Sequence, residues 1–254
     1  MENQRKIALV TGGSRGLGRN SALALADKGI DVIITYHSQK EEAASVVEQI
    51  ANKGGKAAAL QLDAGLVSSF DVFVSGLQDL LKEKWGREHI DFLINNAGFG
   101  INTPFLETTE EQFDSLMNVH FKGVFFLTQK LVPLIAEQGG IVNISTGLTR
   151  FSMEGSSAYA SMKGAIEVLT KYMAKELGRR GIRVNAVAPG AILTDFGGGR
   201  LKQNQAIREY IGSQTALGRV GEADDIGGVV ASLCSGDMGW VNSQRIEASG
   251  GMFL

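Results

Sequence analysis

The 254-residue sequence is poor in cysteine and proline and has no long apolar run. Its one cysteine, Cys234, excludes a disulfide within the chain and fits a reducing compartment. No stretch approaches the roughly 20 apolar residues of a membrane span, and the opening MENQRKIALV lacks the apolar segment of a signal peptide. We therefore expect a cytoplasmic protein that does not contact a membrane.

The sequence also lacks an excess of charge of either sign. A formal net charge of −2 provides no broad attraction for nucleic acid, so a small molecule is the expected partner. Its three histidines, His37, His89 and His120, do not have the spacing of metal ligands, and no metal site is expected. Glycine is abundant instead: 33 residues lie between apolar runs, a distribution typical of tight turns rather than disorder.

Short apolar runs alternate with longer amphipathic segments along the chain. This alternation indicates a parallel sheet of about seven strands covered on both faces by helices, a doubly wound Rossmann-type α/β fold. We predict a single domain over residues 1–254, with dinucleotide-binding and catalytic parts together. The predicted strands cover residues 6–10, 31–35, 56–62, 91–95, 140–145, 182–187 and 244–248. The predicted helices cover residues 16–28, 40–53, 67–85, 110–132, 158–178 and 223–233, and the fourth is long enough to be bent.

The segment 196–214, FGGGRLKQNQAIREYIGSQ, interrupts this alternation. Its three consecutive glycines predict a hinge, and the segment is interpreted as a mobile part of the substrate site.

A glycine cluster, TGGSRGLG, follows the first strand and opens the first helix. Its spacing differs from G-x-G-x-x-G, but it offers the same tight turn, close backbone approach and helix amides that bind a pyrophosphate. The cluster therefore predicts a nucleotide site. The candidate cofactor-binding residues here are Gly12, Ser14, Arg15, Gly16, Leu17 and Gly18.

The end of the second strand distinguishes the two nicotinamide cofactors. NAD sites usually carry an acidic residue there, whereas this strand ends Thr35-Tyr-His-Ser38 and Asp31 lies at its opposite end. Arg15, with His37 and Ser38 across from it, suits a 2′-phosphate. The sequence therefore favours NADP(H).

The stretch SAYASMK places Tyr159 and Lys163 on one face of a helix, four residues apart. Such pairs are usually surface decoration. Here the residues between them are small, and the helix follows the fifth strand, whose carboxyl end faces the crevice where α/β folds bind ligands. That strand ends in two hydroxyl residues, Ser145 and Thr146, so the pattern favours an active site.

Five motifs in order and spacing resemble the short-chain dehydrogenases/reductases over about residues 5–252. They are TGGSRGLG, Asn95-Asn-Ala-Gly98, Tyr159-x-x-x-Lys163, Asn185-Ala-Val-Ala-Pro-Gly190 and Ala248-Ser-Gly-Gly251. The resemblance implies NAD(P)-dependent interconversion of carbonyls and alcohols, with Tyr159 as general acid in reduction and general base in oxidation. It implies that Lys163 binds the nicotinamide ribose and lowers the pKa of the tyrosine, and that Asn118 supports a water-mediated proton relay.

The resemblance leaves open which hydroxyl holds the substrate. The family spacing of 13 residues before the tyrosine falls on Thr146, whereas the family preference for serine favours Ser145. Adjacent strand side chains face opposite ways, so only one of the two is expected in the site. Spacing favours Thr146.

Asp63, after the third strand, is implied to bond the adenine amino group, and a helix-cap role is the alternative. The remaining cofactor contacts implied by the resemblance are Asn95, Ala97, Gly98, Pro189, Gly190, Ile192 and Thr194.

The predicted function is NADPH-dependent reduction of a ketone or aldehyde. Its pocket is expected to be broad and apolar, formed by Phe99, the loop 147–156 and the segment 196–214.

One alternative is a 3-oxoacyl-[acyl-carrier-protein] reductase, which needs basic residues near the site entrance. Arg180 could serve, but Glu137 lies where a second cation is expected. The other is a non-catalytic NADP-binding regulator, against which the intact Tyr159, Lys163 and Asn118 argue. By resemblance the protein is expected to form a homo-oligomer, usually a tetramer.

Overall fold

The apolar runs of the sequence form the centre of one parallel sheet. A computed structural model describes residues 5–254. Its strands are β1 (Ile7–Val10), β2 (Asp31–Tyr36), β3 (Ala57–Gln61), β4 (Ile90–Asn95), β5 (Ile135–Ile144), β6 (Arg183–Pro189) and β7 (Arg245–Ala248). They lie in the order β3-β2-β1-β4-β5-β6-β7, and every pairing is parallel. The predicted doubly wound α/β fold is confirmed.

Nine α-helices lie within residues 5–254 and cover the sheet. They are α1 (Gly16–Asp27), α2 (Lys40–Asn52), α3 (Phe70–Trp85), α4 (Glu110–Met117), α5 (Gly123–Leu131), α6 (Ser157–Leu177), α7 (Arg200–Gln203), α8 (Gln205–Ser213) and α9 (Asp224–Leu233).

Strand alternation divides the core into two layers. Ala8 and Val10 of β1 pack toward α1, α2 and α9, where Leu25 and Val230 are fully buried. The other side chains of the same strand pack toward α3, α5 and α6. Since both faces of the strand are buried, a nearly continuous apolar sequence is what this position requires.

The order of strands reverses between β1 and β4. Chain connections leave the sheet there in opposite directions, which opens a crevice at the carboxyl ends of these strands. The glycine cluster follows β1, and the hydroxyl pair follows β5, so both reach the same edge.

Two elements differ from the sequence prediction. β5 begins at Ile135 rather than at residue 140, because its first residues pass through a register shift and a positive φ at Gln138 that an apolar pattern does not mark. The predicted long helix 110–132 is divided by a π-helical turn, Asn118–Lys122, while a bend at this point stays a prediction.

The segment 196–214 is ordered as two short helices, α7 and α8, behind its glycine run. Gly197, Gly198 and Gly199 all have φ between +62° and +76°, a conformation that favours glycine. The hinge geometry is therefore present, while the mobility of the segment stays a prediction.

Candidate active site at the carboxyl edge of the sheet

The glycine turn after β1 packs directly against the turn after β4. A Cβ on Gly12 would lie 2.9 Å from the Ala97 Cα, and one on Gly18 would overlap the carbonyl oxygen of Gly12. Gly12 also has a φ of +64°. Only residues without a side chain fit this arrangement, which lets the two turns pack backbone against backbone at the N-terminus of α1, where helix amides are suited to bind a pyrophosphate.

Asn96 ties the two turns together. Its Nδ2 donates to the carbonyl oxygens of Thr11 and Gly12, at 2.8 and 3.1 Å. The Thr11 hydroxyl accepts in return from the backbone amides of Asn96 and Ala97. Asn96 was not among the predicted site residues, although it lies inside the quoted motif Asn95-Asn-Ala-Gly98.

The predicted residues of the first turn surround this cradle. Arg15 is exposed and precedes α1 in an extended conformation, while Ser14 is buried. Gly16 and Leu17 start the helix, and a Cβ on Gly16 would lie 3.8 Å from the Thr194 side chain on the opposite wall. Arg15 is thus free at the helix N-terminus to meet an anion.

His37 and Ser38 follow β2 and are exposed. The His37 Nε2 lies 3.7 Å from Asp63 Oδ2, so the structure brings a carboxylate to this end of the crevice from another strand. The other Asp63 oxygen accepts from the Gly65 amide at 2.9 Å, which matches the turn-forming alternative for this residue. One carboxylate oxygen remains turned outward.

Tyr159 and Lys163 reach the crevice from the first two turns of α6. The Lys163 Nζ donates to the Ile144 carbonyl oxygen at 2.7 Å and lies 5.8 Å from the centre of the Tyr159 ring. Its side chain is 4% exposed, so the cation is held next to the phenol rather than in solvent.

The two candidate hydroxyls face different ways. Thr146 faces the Tyr159 phenol and acts to lower its pKa against the larger effect of burial, and the Thr146 hydroxyl accepts from the Leu148 amide at 3.3 Å. Ser145 donates instead to Oε1 of Glu167, at 2.6 Å. The structure therefore places Thr146 in the crevice with the tyrosine and turns the Ser145 hydroxyl away from it.

Burial controls the titration of the pair. It raises the pKa of Tyr159 above its ordinary value of 10, and the hydrogen bond from Thr146 opposes this only in part. It lowers the pKa of Lys163 to about 8. Desolvation thus dominates the pKa of Tyr159 in the protein chain itself, and its lowering by Lys163 stays a prediction. A phenol with a raised pKa is protonated at neutral pH and can donate a proton.

His120 is a site residue that the sequence analysis missed. It is completely buried, and its ring lies edge-on to Tyr159 with centroids 5.1 Å apart. The Nε2 lies 2.7 Å from the Phe99 carbonyl oxygen, while Nδ1 has no hydrogen-bond partner among the residues described. Burial first, and then the charge of Lys163, lower the pKa of His120 to about 3, so the ring is neutral.

Asn118, predicted to support a water-mediated proton relay, opens the same π-helical turn that carries His120. A Cβ on Gly65 would lie 3.9 Å from the Asn118 Cβ, which puts the residue near the turn after β3. The π-helical turn carries the two residues to different sides, and His120 is the one that meets Tyr159. The spacing of a regular helix could not indicate this, because the π turn changes the periodicity.

The other predicted contacts lie along the walls of the crevice. Asn95 is buried beneath it and donates to Thr128 and Asn143, so its side chain serves the core. Gly98 abuts His120, since a Cβ there would lie 2.5 Å from the ring. The opposite wall is formed by Pro189 at the end of β6 and by the segment after it, which holds Gly190, Ile192 and the buried Thr194.

Aromatic and polar residues form the rim. Phe196 lies 5.5 Å from Tyr159, ring centre to ring centre, and packs on Gly100. Asn102 joins the rim segments: it donates to the Glu154 carbonyl oxygen and accepts from Arg200. Phe151, expected in the pocket, stacks on Phe253 at 4.9 Å, at the end of the chain.

Residues 5–254 contain neither a metal-binding cluster nor a membrane-spanning helix. No group of three or more histidine, cysteine, aspartate or glutamate side chains is arranged there to hold a metal ion. No helix in this part of the chain is long and apolar enough to cross a membrane.

Comparison with known proteins gives consistent matches over nearly the whole chain. The sequence model of a family described as enoyl-(acyl carrier protein) reductase matches residues 12–253. An uncharacterized oxidoreductase of Methylorubrum extorquens is 39% identical over 247 residues, with 97% of each chain covered. The 3-oxoacyl-[acyl-carrier-protein] reductase FabG of Staphylococcus aureus is 36% identical over 251 residues, with 98% of each covered.

Two solved structures are similarly close. The promiscuous reductase LugOII, which catalyses keto-reduction at C1 in lugdunomycin biosynthesis, has a TM-score of 0.93 at 39% identity, with 98% of each chain covered. The angucycline C-6 ketoreductase LanV with bound NADP has a TM-score of 0.93 at 38% identity, covering 99% of this chain and 97% of that one. As its motifs predicted, the chain belongs to the short-chain dehydrogenase/reductase family.

Proposed function

We propose that the protein is an NADPH-dependent reductase of ketones or aldehydes. The observation that carries this proposal is the half-buried Tyr159 phenol, whose pKa desolvation raises, with Thr146 facing it and the Lys163 Nζ 5.8 Å from its ring centre. A proton donor and a hydroxyl directed at one point are what a carbonyl oxygen needs as it gains negative charge.

The crevice fits a dinucleotide with a 2′-phosphate. Gly12 and Gly18 allow the turn after β1 to pack tightly at the N-terminus of α1, whose first amides would bind the pyrophosphate. Arg15, His37 and Ser38 would hold the 2′-phosphate, and LanV and a related blue fluorescent protein are solved with NADP or NADPH. When bound, the cofactor supplies the hydride.

The protein residues would supply the rest of the chemistry. Tyr159 would donate the phenolic proton to the carbonyl oxygen, and the Thr146 hydroxyl would hydrogen-bond the same oxygen while charge develops. Lys163 would hold the ribose hydroxyls and stabilise the phenolate left behind. The neutral imidazole of His120 packs the phenol ring in place from its edge.

The rim favours an apolar, bulky carbonyl compound. Phe99 and Phe196 lie on either side of the His120–Tyr159 pair, and Met153 is exposed in the loop after β5. The keto-reductions named for LugOII and LanV agree with a cyclic ketone as the substrate class.

Arg180 argues against the acyl-carrier-protein alternative. Its Nε donates to Glu137 at 2.7 Å, and its two other nitrogens donate to the carbonyl oxygens of Val132 and Ile135. A guanidinium with each of its three nitrogens engaged in a hydrogen bond offers little to an acidic carrier protein.

A homo-oligomer is proposed on an exposed apolar face of α4, α5 and α6. The side chains that share this face are 36% to 64% exposed: Phe113, Phe125, Phe126, Val168 and Tyr172. Light scattering after size exclusion is expected to give four times the mass of 27.1 kDa; a monomer would contradict the proposal.

The test of function is NADPH oxidation with a panel of ketones, aldehydes and a 3-oxoacyl carrier-protein substrate. Turnover of free cyclic ketones well above the carrier substrate is the expected result. Equal or better use of the carrier substrate would favour the alternative reductase. NADPH binding without turnover of any substrate would favour a regulator.

A further inference from the structure

A network of hydrogen-bonded, charged side chains lies behind the crevice. Oε1 of Glu167, on α6, accepts from the hydroxyls of Ser145 and Thr149, at 2.6 and 2.7 Å. The same oxygen accepts from Nε of Arg245, on β7, at 2.7 Å. Arg245 also donates to the carbonyl oxygen of Thr146 at 3.1 Å. The Glu167 carboxylate therefore holds the side chain of Ser145, and the Arg245 guanidinium holds the backbone of Thr146.

The network extends to the last residues of the protein. Arg245 donates to Glu247 at 2.8 Å, and Glu247 in turn receives two hydrogen bonds from Arg150, at 2.9 and 2.7 Å. Arg150 also donates to the carbonyl oxygens of Met252 and Phe253. The loop that begins at Thr146 is thus fastened to β7 and to the last residues of the chain.

The network is partly shielded from solvent, which weakens screening by salt. The Glu167 and Arg245 side chains are 17% and 24% exposed. Ion pairs organised into a network of this kind hold geometry better than isolated surface pairs.

The network affects the active site because Ser145 and Thr146 are adjacent residues of extended backbone. Because adjacent side chains point to opposite sides, fixing the Ser145 hydroxyl on Glu167 directs the Thr146 hydroxyl toward Tyr159. Without the Glu167 acceptor, the buried Ser145 hydroxyl loses its partner, and the backbone at 145–146 is no longer held in one orientation.

We propose that Glu167 and Arg245 are positioning residues that set the pose of the Thr146 hydroxyl against the Tyr159 phenol. The inference rests on the proposed function of Thr146 and Tyr159. The contacts of Glu167 and Arg245 are to Ser145, Thr146, Thr149 and Glu247, so they act through Thr146.

A double-mutant cycle tests this. Glu167→Gln and Arg245→Met are each expected to lower kcat/KM for the ketone by roughly 10- to 100-fold while KM for NADPH changes less than about twofold, because misplacement rather than cofactor binding is affected. In a Thr146→Ala background the same substitutions are expected to cost less than about twofold. Losses that multiply in full in that background would overturn the proposal.

Arg87→Met is the matched control. Arg87 pairs with Asp91 at 2.8 Å, with side chains 17% and 15% exposed, at the amino end of β4 and away from the crevice. It removes a comparable ion pair and is expected to leave kcat/KM within about twofold of the parent.

A second readout separates failure of the inference from failure of the proposed function. Parent enzyme without ketone turnover would refute the proposed function. Hydrogen exchange of the peptide 145–150 would still decide the positioning role: Glu167→Gln is expected to speed it and Arg87→Met is not. Unchanged exchange in Glu167→Gln would overturn the inference.

Discussion

The nucleotide half of the crevice and its substrate half are built in different ways. Around the glycine turn, geometry follows from two short motifs that are visible in the sequence: Gly12 and Gly18 admit no side chain, and Asn96, in the four-residue motif after β4, ties the two turns together. Around Tyr159, each functional group depends on a residue from a distant element. Thr146 is oriented through Glu167, and His120 reaches the phenol through a π-helical turn.

This difference has a functional consequence. Substitutions in the nucleotide half should change cofactor affinity, whereas substitutions in the substrate half should change turnover and leave cofactor affinity nearly unchanged. Each prediction below challenges or refines that division.

The largest effect is expected from Tyr159→Phe. Loss of the phenolic proton should lower kcat by about 10²- to 10⁴-fold, the usual contribution of a positioned general acid. NADPH affinity, measured by fluorescence titration, should change less than about threefold. A variant that retains more than about a third of parent kcat would exclude the phenol as proton donor.

Gly18→Ala should break the nucleotide half. The added methyl overlaps the Gly12 carbonyl oxygen and Asn96 Nδ2, so we expect a loss of about 1–3 kcal/mol in the free energy of unfolding and weaker NADPH binding.

The matched variant is Gly76→Ala, in the interior of α3 with open space around it. It should be neutral or stabilise by about 0.5–1 kcal/mol. Denaturant unfolding measures both, and equal effects of the two substitutions would contradict the packing argument.

His120 predicts a pH dependence of stability in the substrate half. Its pKa is about 3 in the folded chain and near 6.5 when unfolded, so the unfolded state binds more protons between these values. Stability that is present above pH 6.5 is lost as pH falls toward 3, by about 2 kcal/mol at pH 5.

The check is the pH dependence of unfolding free energy in the parent and in His120→Asn, which has no ionisable ring. As the pH is lowered from 7 to 5, the unfolding free energy of the parent should fall more than that of the variant. Parallel curves over this range would show that the imidazole is not held neutral.

Arg15→Ala gives the smallest expected effect. Removing one charge-assisted hydrogen bond to the 2′-phosphate should reduce the preference for NADPH over NADH by roughly tenfold, with kcat little changed. Ratios of kcat/KM for the two cofactors measure it. An unchanged ratio would mean that Arg15 does not contact the 2′-phosphate. That outcome is informative because a carboxylate, Asp63, lies 3.7 Å from His37 at the same end of the crevice.

The sequence predicted the sheet, the crevice and the Tyr159–Lys163 pair because these depend on periodicity and short spacings. It left Ser145 and Thr146 open, since the choice is made by a side chain 22 residues away on α6. It did not indicate that His120 contacts Tyr159, because a regular helical period does not anticipate a π turn. It also missed the carboxylate of Asp63 beside His37, which two different strands bring together.

The most direct test of the central claim is single-turnover reduction of a cyclic ketone by NADPH with both C4 hydrogens replaced by deuterium, with mass analysis of the alcohol. The account predicts one deuterium on the former carbonyl carbon with the parent protein, and a rate lower by at least about 100-fold with Tyr159→Phe. Alcohol without deuterium, or equal rates for the two proteins, would contradict it.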